Sequence, residues 1–356
     1  MSSIPNLLSL RGSARGGRGG RHRGRGGTSS TSGPGHDATI QGTDTDAAVS
    51  RLSAVDVGFL NDPFAQFFVQ GGPGAPVRRL PIINRGTYTR TTALDILIDS
   101  FIFGSDGLSS ASSERQIISL GAGTDTRSLR LFSEAKAKGV TYHEIDFPVI
   151  CTRKLNTVKA TPLLMRALPS PSVGDKGSWQ AKTDDGNQYW CHGIDLRELA
   201  HADLSAMDGL RTDIPTLLIS ECCLCYLETS EAKDVIKWFT DKIVDLGIII
   251  YEPTDPDDSF GQVMISNLGS RGIVMPTLAS YRNPSQQEAR LKEAGFESVR
   301  KLTVKDIWTT WIPEEEKERV NSLEGLDEVE EWDLLASHYI IAWGWRGQGF
   351  KAWDRR

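Results

Sequence analysis

Four apolar runs in this sequence end on residues that can do chemistry. RQIISL is closed by Gly121-Ala122-Gly123-Thr124-Asp125. A glycine pair lets backbone approach a ligand closely, and a helix start beyond it offers free N–H groups. VTYHEI is closed by Asp146, where a carboxylate can accept hydrogen bonds from both hydroxyls of a ribose. YWCHGI is closed by Asp195-Leu196. A carboxylate next to a free backbone N–H can read the amino-pyrimidine edge of adenine. TLLIS is closed by Glu221, with Tyr226 shortly after. A carboxylate beside apolar residues is expensive unless a cation is near. Asp146 and Asp195 also read as plain helix N-caps, and the glycine pair as a tight strand–helix turn. The third glycine of G-x-G-x-x-G is absent, Thr126 standing there, which disfavours a nicotinamide dinucleotide.

These residues converge only if the runs are neighbouring strands. Strands are expected at 115–123, 140–146, 189–195, 215–221 and 246–253. Helices are expected at 46–58, 60–70, 88–103, 125–138, 147–159 and 229–244, with a loop at 71–82. Strands separated by helices pair in parallel, giving an α/β, doubly wound sheet. Toward the C-terminus, helices are expected near 259–269, 284–294 and 314–323, and strands near 297–303 and 336–345. The last strand is expected to pair antiparallel at the sheet edge. In open sheets of this kind ligands bind outside the carboxyl ends of the strands, which brings the four chemical segments together. The pocket they describe suits an adenosine-bearing cation without a pyrophosphate. S-adenosylmethionine fits, having an adenine, a ribose, an ammonium and a sulfonium.

Composition narrows the alternatives. The chain has 356 residues and a net charge of −6. Residues 1–36 hold six Arg and no acid, so the remainder carries 34 Lys+Arg against 46 Asp+Glu, or −12. An acidic body argues against a folded domain that grips nucleic acid through phosphates. No run is long and apolar enough for a membrane-spanning helix. Residues 1–44 read as a disordered tail, with the low-complexity tract RGSARGGRGGRHRGRGG at 11–27. That tract is a candidate for weak RNA binding, although no aromatic is interleaved to stack on bases. Five cysteines, three of them in CCLC, read as buried thiols of a reducing compartment and not as a metal site. The cytoplasm is the expected location, with the nucleus a second; an Arg-rich N-terminus fits a mitochondrial leader less well. His143, His192, His201 and His338 show no pairing with a nucleophile.

RQIISLGAGTDTRSLRL, EIDFPVICTRKLN, DLREL, LLISECCLCYL, INRGTYTR (83–90) and FGQVMISNL (260–268) together resemble the leucine carboxyl methyltransferases, from about residue 45 to about residue 345. The resemblance implies a class I S-adenosylmethionine-dependent methyltransferase over 45–356. Added helices would lie at the N-terminus and, over roughly 254–335, on the substrate side. It implies methyl transfer to the C-terminal leucine carboxylate of the protein phosphatase 2A catalytic subunit. The alternative is a methyltransferase of the same fold acting on another carboxylate, in the tRNA wybutosine pathway or on a small molecule. Gly121, Asp146, Asp195, Leu196, Glu221 and Arg90 fall on the family's cofactor positions. Arg51 stands where the family often has Lys. Tyr226 and Arg85 are the candidates for orienting the substrate carboxylate. No metal is implied.

Overall fold

The computed structural model describes residues 34–69, 78–104, 114–133 and 137–355. Helix α1 (Pro34–Val57), a 3-10 turn (Ala65–Phe68) and α2 (Pro81–Phe103) precede the sheet. Its strands are β1 (Arg115–Leu120), β2 (Val140–Asp146), β3 (Ser172–Val173), β4 (Trp179–Lys182), β5 (Gln188–Gly193), β6 (Thr216–Glu221), β7 (Leu246–Pro253), β8 (Ser298–Thr303) and β9 (Tyr339–Arg346). The remaining helices are α3 (Arg127–Ser133), α4 (Pro148–Ala160), α5 (Pro162–Ala167), α6 (Leu196–Leu199), α7 (Thr229–Thr240), α8 (Ser259–Gly269), α9 (Pro284–Glu293), α10 (Val304–Thr310), α11 (Glu314–Leu323) and α12 (Val329–Ser337).

The strand order is β3-β4-β5-β2-β1-β6-β7-β9-β8. The run β5-β2-β1-β6-β7 is parallel throughout. Apolar residues fill both faces of these strands, as a sheet covered on each side requires. Ile117, Leu217, Ile219 and Ile249 share one core with α2 and α4. Ile118, Leu218, Ile248 and Ile250 share the other with α7 and α9. The chain reverses its winding direction between β1 and β6, so a crevice opens at their carboxyl ends. Register aligns the chemical residues there, with Asp146 opposite Gly193 and Glu221 opposite Tyr251.

Several elements depart from the sequence expectation. Residues 34–44, read from composition as tail, form the first turns of α1. Two of their carboxylates are tied to the body. Asp37 pairs with Arg197 at 3.0 Å, and Asp44 accepts from the Thr124 amide at 2.7 Å. The tract at 11–27 and the RNA-binding expectation placed on it lie outside the described residues. The helix expected at 60–70 is reduced to its 3-10 turn. The strand expected at the sheet edge, β9, lies inside: it is antiparallel to both β7 and β8, and β8 takes the edge. The opposite edge is the antiparallel hairpin of β3 and β4, whose short alternating pattern did not stand out in a polar stretch.

A buried ion pair pins α4 beneath the crevice. Lys154 donates to Glu144 Oε2 at 2.5 Å and to the Asp125 carbonyl at 2.7 Å. Glu144 also accepts from Ser128 Oγ at 3.0 Å and Tyr189 Oη at 2.7 Å. Lys154→Met strands a carboxylate in the core and should cost about 3–5 kcal/mol in urea unfolding. Adding Glu144→Gln should recover part of that loss; a single variant as stable as wild type would show that the pair bears no load.

Candidate active site

The crevice is a cleft with about 1360 Å³ of atom-free space, its open mouth included. Its floor is the turn after β1. Gly121 and Gly123 both adopt left-handed backbone, with φ of +60° and +52°. Space is short as well. A Cβ on Gly121 would lie 2.6 Å from Cys223 Sγ, and one on Gly123 would collide with the Asp44 carboxylate. These two glycines are therefore required on both grounds. Asp146 accepts from the Gly123 amide and from the Phe147 amide, each at 2.7 Å. It thus braces the turn as well as facing the cleft. Burial pushes its carboxyl up to about 7, against the pull of those two amides, and the nearby Asp44 adds to the rise.

Asp195 caps α6, accepting from the Arg197 amide at 2.9 Å, so the N-cap reading holds for it. Its side chain also grips the Arg197 guanidinium, Nε at 2.9 Å. Arg197 in turn reaches Asp37 on α1, closing the cleft on that side. Leu196 N, as the first amide of α6, has no carbonyl to donate to within the helix. Asp195 and Leu196 both line the cleft.

Beyond the β6 end lies a lattice of paired charges. Glu221 faces Arg90 Nε at 2.8 Å and Arg127 at 2.7 Å. Arg127 also pairs with Asp125 at 2.8 Å and Asp95 at 3.0 Å, and Asp95 pairs with Arg130 at 2.8 Å. Arg51 closes the lattice, 3.3 Å from Asp62 and 3.8 Å from Asp125. Burial pushes the Glu221 carboxyl upward, but Arg127 and Arg90 outweigh it and hold it below the usual range. Only the Nε edge of Arg90 is engaged in an ion pair. That Nε makes no hydrogen bond among the described residues, and Arg90 lines the cleft with Arg51.

Tyr226 also lines the cleft, from the 3-10 turn Leu224–Tyr226. Its buried hydroxyl lies beside Thr43 without the geometry of a hydrogen bond. Cys222, between Glu221 and that turn, holds a φ of +49°, a rare strain for a non-glycine residue. Arg85 stands apart. It does not line the cleft; it lies 4.8 Å over Trp308 and 5.7 Å over Trp332 and donates to Asn321 at 2.5 Å. The structure thus brings Arg51, Arg90, Gly121, Asp146, Asp195, Leu196, Glu221 and Tyr226 to one cleft and leaves Arg85 among the C-terminal helices. Asp37, Asp44, Arg127 and Arg197 were not singled out from the sequence. Among the described residues no group of three or more His, Cys, Asp or Glu is placed to hold a metal.

Residues 39–240 match the family described as leucine carboxyl methyltransferase. The chain belongs to this family. It is 46% identical to Leucine carboxyl methyltransferase 1 of Emericella nidulans, covering 96% of this chain and 94% of that protein. The Rattus norvegicus protein of the same name is 33% identical, covering 87% and 91%. Among solved structures, magnesium protoporphyrin IX methyltransferase from Synechocystis with bound SAH aligns with a TM-score of 0.42 and 13% identity, covering 86% of this chain and all of that one. As a leucine carboxyl methyltransferase family member, the protein is an S-adenosylmethionine-dependent carboxyl methyltransferase.

The elevated Asp146 carboxyl has a consequence for stability. Its folded value, about 7, exceeds the unfolded value of about 3.9, so its contribution is fully present below pH 4 and is lost as pH rises through 7. Asp146→Asn removes this titration. Between pH 5 and pH 8 the unfolding free energy of the variant should gain on that of wild type by on the order of 2 kcal/mol. A wild-type-minus-variant difference independent of pH would rule the elevated carboxyl out.

Proposed function

We propose that this protein transfers the methyl group of S-adenosylmethionine to the α-carboxylate of the C-terminal leucine of the protein phosphatase 2A catalytic subunit, forming a methyl ester. The observation that carries the reading is Arg90. Its guanidinium is buried, forms an ion pair with Glu221 at 2.8 Å through an Nε that makes no hydrogen bond, and lines the cleft beside the glycine turn. A guanidinium in the cleft lining has five N–H donors, so it can take a ligand carboxylate beside its internal partner.

The donor set fits the cofactor. Arg90, with Arg51 behind it, would take the methionyl carboxylate. The Gly121 turn would pass beneath the amino-acid arm, and Asp146 would accept from the ribose hydroxyls. Asp195 and the Leu196 amide would read the adenine edge, with Arg197 sharing Asp195. Glu221 is already neutralised by two arginines, so its part is to orient Arg90 more than to bind an ammonium on its own. When bound, the cofactor would supply a transferable methyl group on a sulfonium sulfur.

A peptide carboxylate is ionised near pH 7, so no residue need remove a proton. The work left to the chain is positioning. Tyr226 would donate to the substrate carboxylate. A phenol orients an oxygen while leaving it more nucleophilic than a close guanidinium would. Five free thiols, with Cys222 and Cys223 at the cleft, suit a reducing compartment, and we place the protein in the cytoplasm.

The direct test is incubation with labelled S-adenosylmethionine and purified phosphatase catalytic subunit. A base-labile label that vanishes on deletion of the terminal leucine is expected; a label that survives the deletion would overturn the reading. Arg90→Gln provides a separate check. It should weaken S-adenosylhomocysteine binding about 10- to 100-fold while leaving methylthioadenosine, which lacks the amino-acid arm, unchanged in calorimetry. Equal losses for both ligands would place Arg90 elsewhere.

A further inference from the structure

Strand β7 runs beside β6, and its Tyr251 stands in register with Glu221, at the level where the cleft begins. Tyr251 is fully buried. The Arg90 guanidinium carbon lies 5.3 Å from the centre of its ring, and Tyr339 of β9 stacks on it at 5.4 Å with 14° between the planes. These contacts hold the ring. Nothing among the described residues holds its hydroxyl, which makes no hydrogen bond. The Tyr226 hydroxyl is in the same condition, and the two phenols share Cys222 and Tyr339 as neighbours. Thr87 and Thr91 also carry buried hydroxyls without a partner, and with Arg90 they fall on one face of α2. Buried polar atoms are nearly always bonded. Arg90 and Tyr226 line the cleft, and Tyr251 lies against Arg90 directly behind that lining, so its orphaned hydroxyl sits next to the site and not in remote core. Burial pushes both phenols up, Tyr251 against the pull of Arg90, so both stay protonated and able to donate.

We propose that Tyr251 acts with Tyr226 to hold the accepting carboxylate of the substrate. This assignment rests on the carboxyl-methylation reading above. Two neutral donors fix one carboxylate oxygen and leave a lone pair of the other free to attack. The bond formed is oxygen to methyl carbon, and the bond broken is sulfur to methyl carbon, with its electron pair going to sulfur. No proton moves, so the phenols act as donors from start to finish. Tyr251 is thereby a substrate-binding residue set on the rigid sheet, whereas Tyr226 sits on a short turn.

Tyr251→Phe tests this, because it keeps the ring, the Tyr339 stack and the Arg90 contact and removes only the hydroxyl. We expect kcat/KM for a leucine-terminated peptide to fall about 10- to 100-fold, with S-adenosylhomocysteine affinity and Tm at wild-type values. Inhibition by the free-acid peptide should also lose its preference over the C-terminal amide. Tyr281→Phe is the control: it removes another orphaned buried hydroxyl, from a ring whose centre lies 4.6 Å from the Arg290 guanidinium and not beside Arg90, and should leave both measures unchanged. Wild-type kcat/KM in Tyr251→Phe would overturn the assignment, as would a loss confined to cofactor affinity. Wild-type protein that binds S-adenosylhomocysteine yet methylates no leucine-terminated acid would overturn the functional reading first, and the tyrosine assignment with it.

Discussion

The cleft depends on a chain of buried guanidinium–carboxylate contacts running from Arg90 through Glu221 to Arg127, and on to Asp125, Asp95 and Arg130. Arg90 and Arg127 sit where an isolated charge would be prohibitive, and the partly buried Glu221, Asp125 and Asp95 fix them by neutralising them. Removing one member strands its neighbour, and such losses run to several kcal/mol. That mutual constraint lets a long, flexible arginine serve as a fixed element. It also ties α2 and α3 to the end of β6, three parts of the chain that no regular hydrogen-bond ladder joins.

The opposite wall is built by another route. Helix α1 reaches the cleft with two carboxylates, Asp37 on Arg197 and Asp44 on the Thr124 amide and hydroxyl. Asp44 then lies so close to Gly123 that no side chain fits there. Two acids, Asp44 and Asp146, consequently approach the same turn from opposite sides, and burial with their mutual repulsion accounts for the high position of the Asp146 carboxyl. The turn is held tightly, yet its charge is easily altered by protonation near neutral pH.

The sheet was legible because its strands are nearly unbroken apolar runs closed by glycine or acid, and the rule that ligands gather at carboxyl ends does the rest. Gly121, Asp146, Asp195 and Glu221 follow from that rule alone. Arg85 and Arg90 show its limit. Both belong to INRGTYTR, but five residues on a helix turn through about 140° past a full circle, so one cannot face the cleft if the other does. Arg127 was hidden because its three acidic partners are scattered along the sequence at 95, 125 and 221. Asp37 and Asp44 were hidden by composition: a polar segment looks disordered when its stabilising contacts are a long-range ion pair and long-range hydrogen bonds.

The placement of β9 between β7 and β8 bears on how the molecule is made. Strand β7 is buried along its whole length, yet one of its hydrogen-bonding edges is completed only by residues 339–346. During synthesis at about 5–20 residues per second, that edge stands open for roughly 4 to 17 seconds before its partner exists. A nascent chain therefore passes through a period in which LGIIIYEP is an unpaired, sticky template for any other strand. Premature termination within the C-terminal helices would leave that template exposed for good.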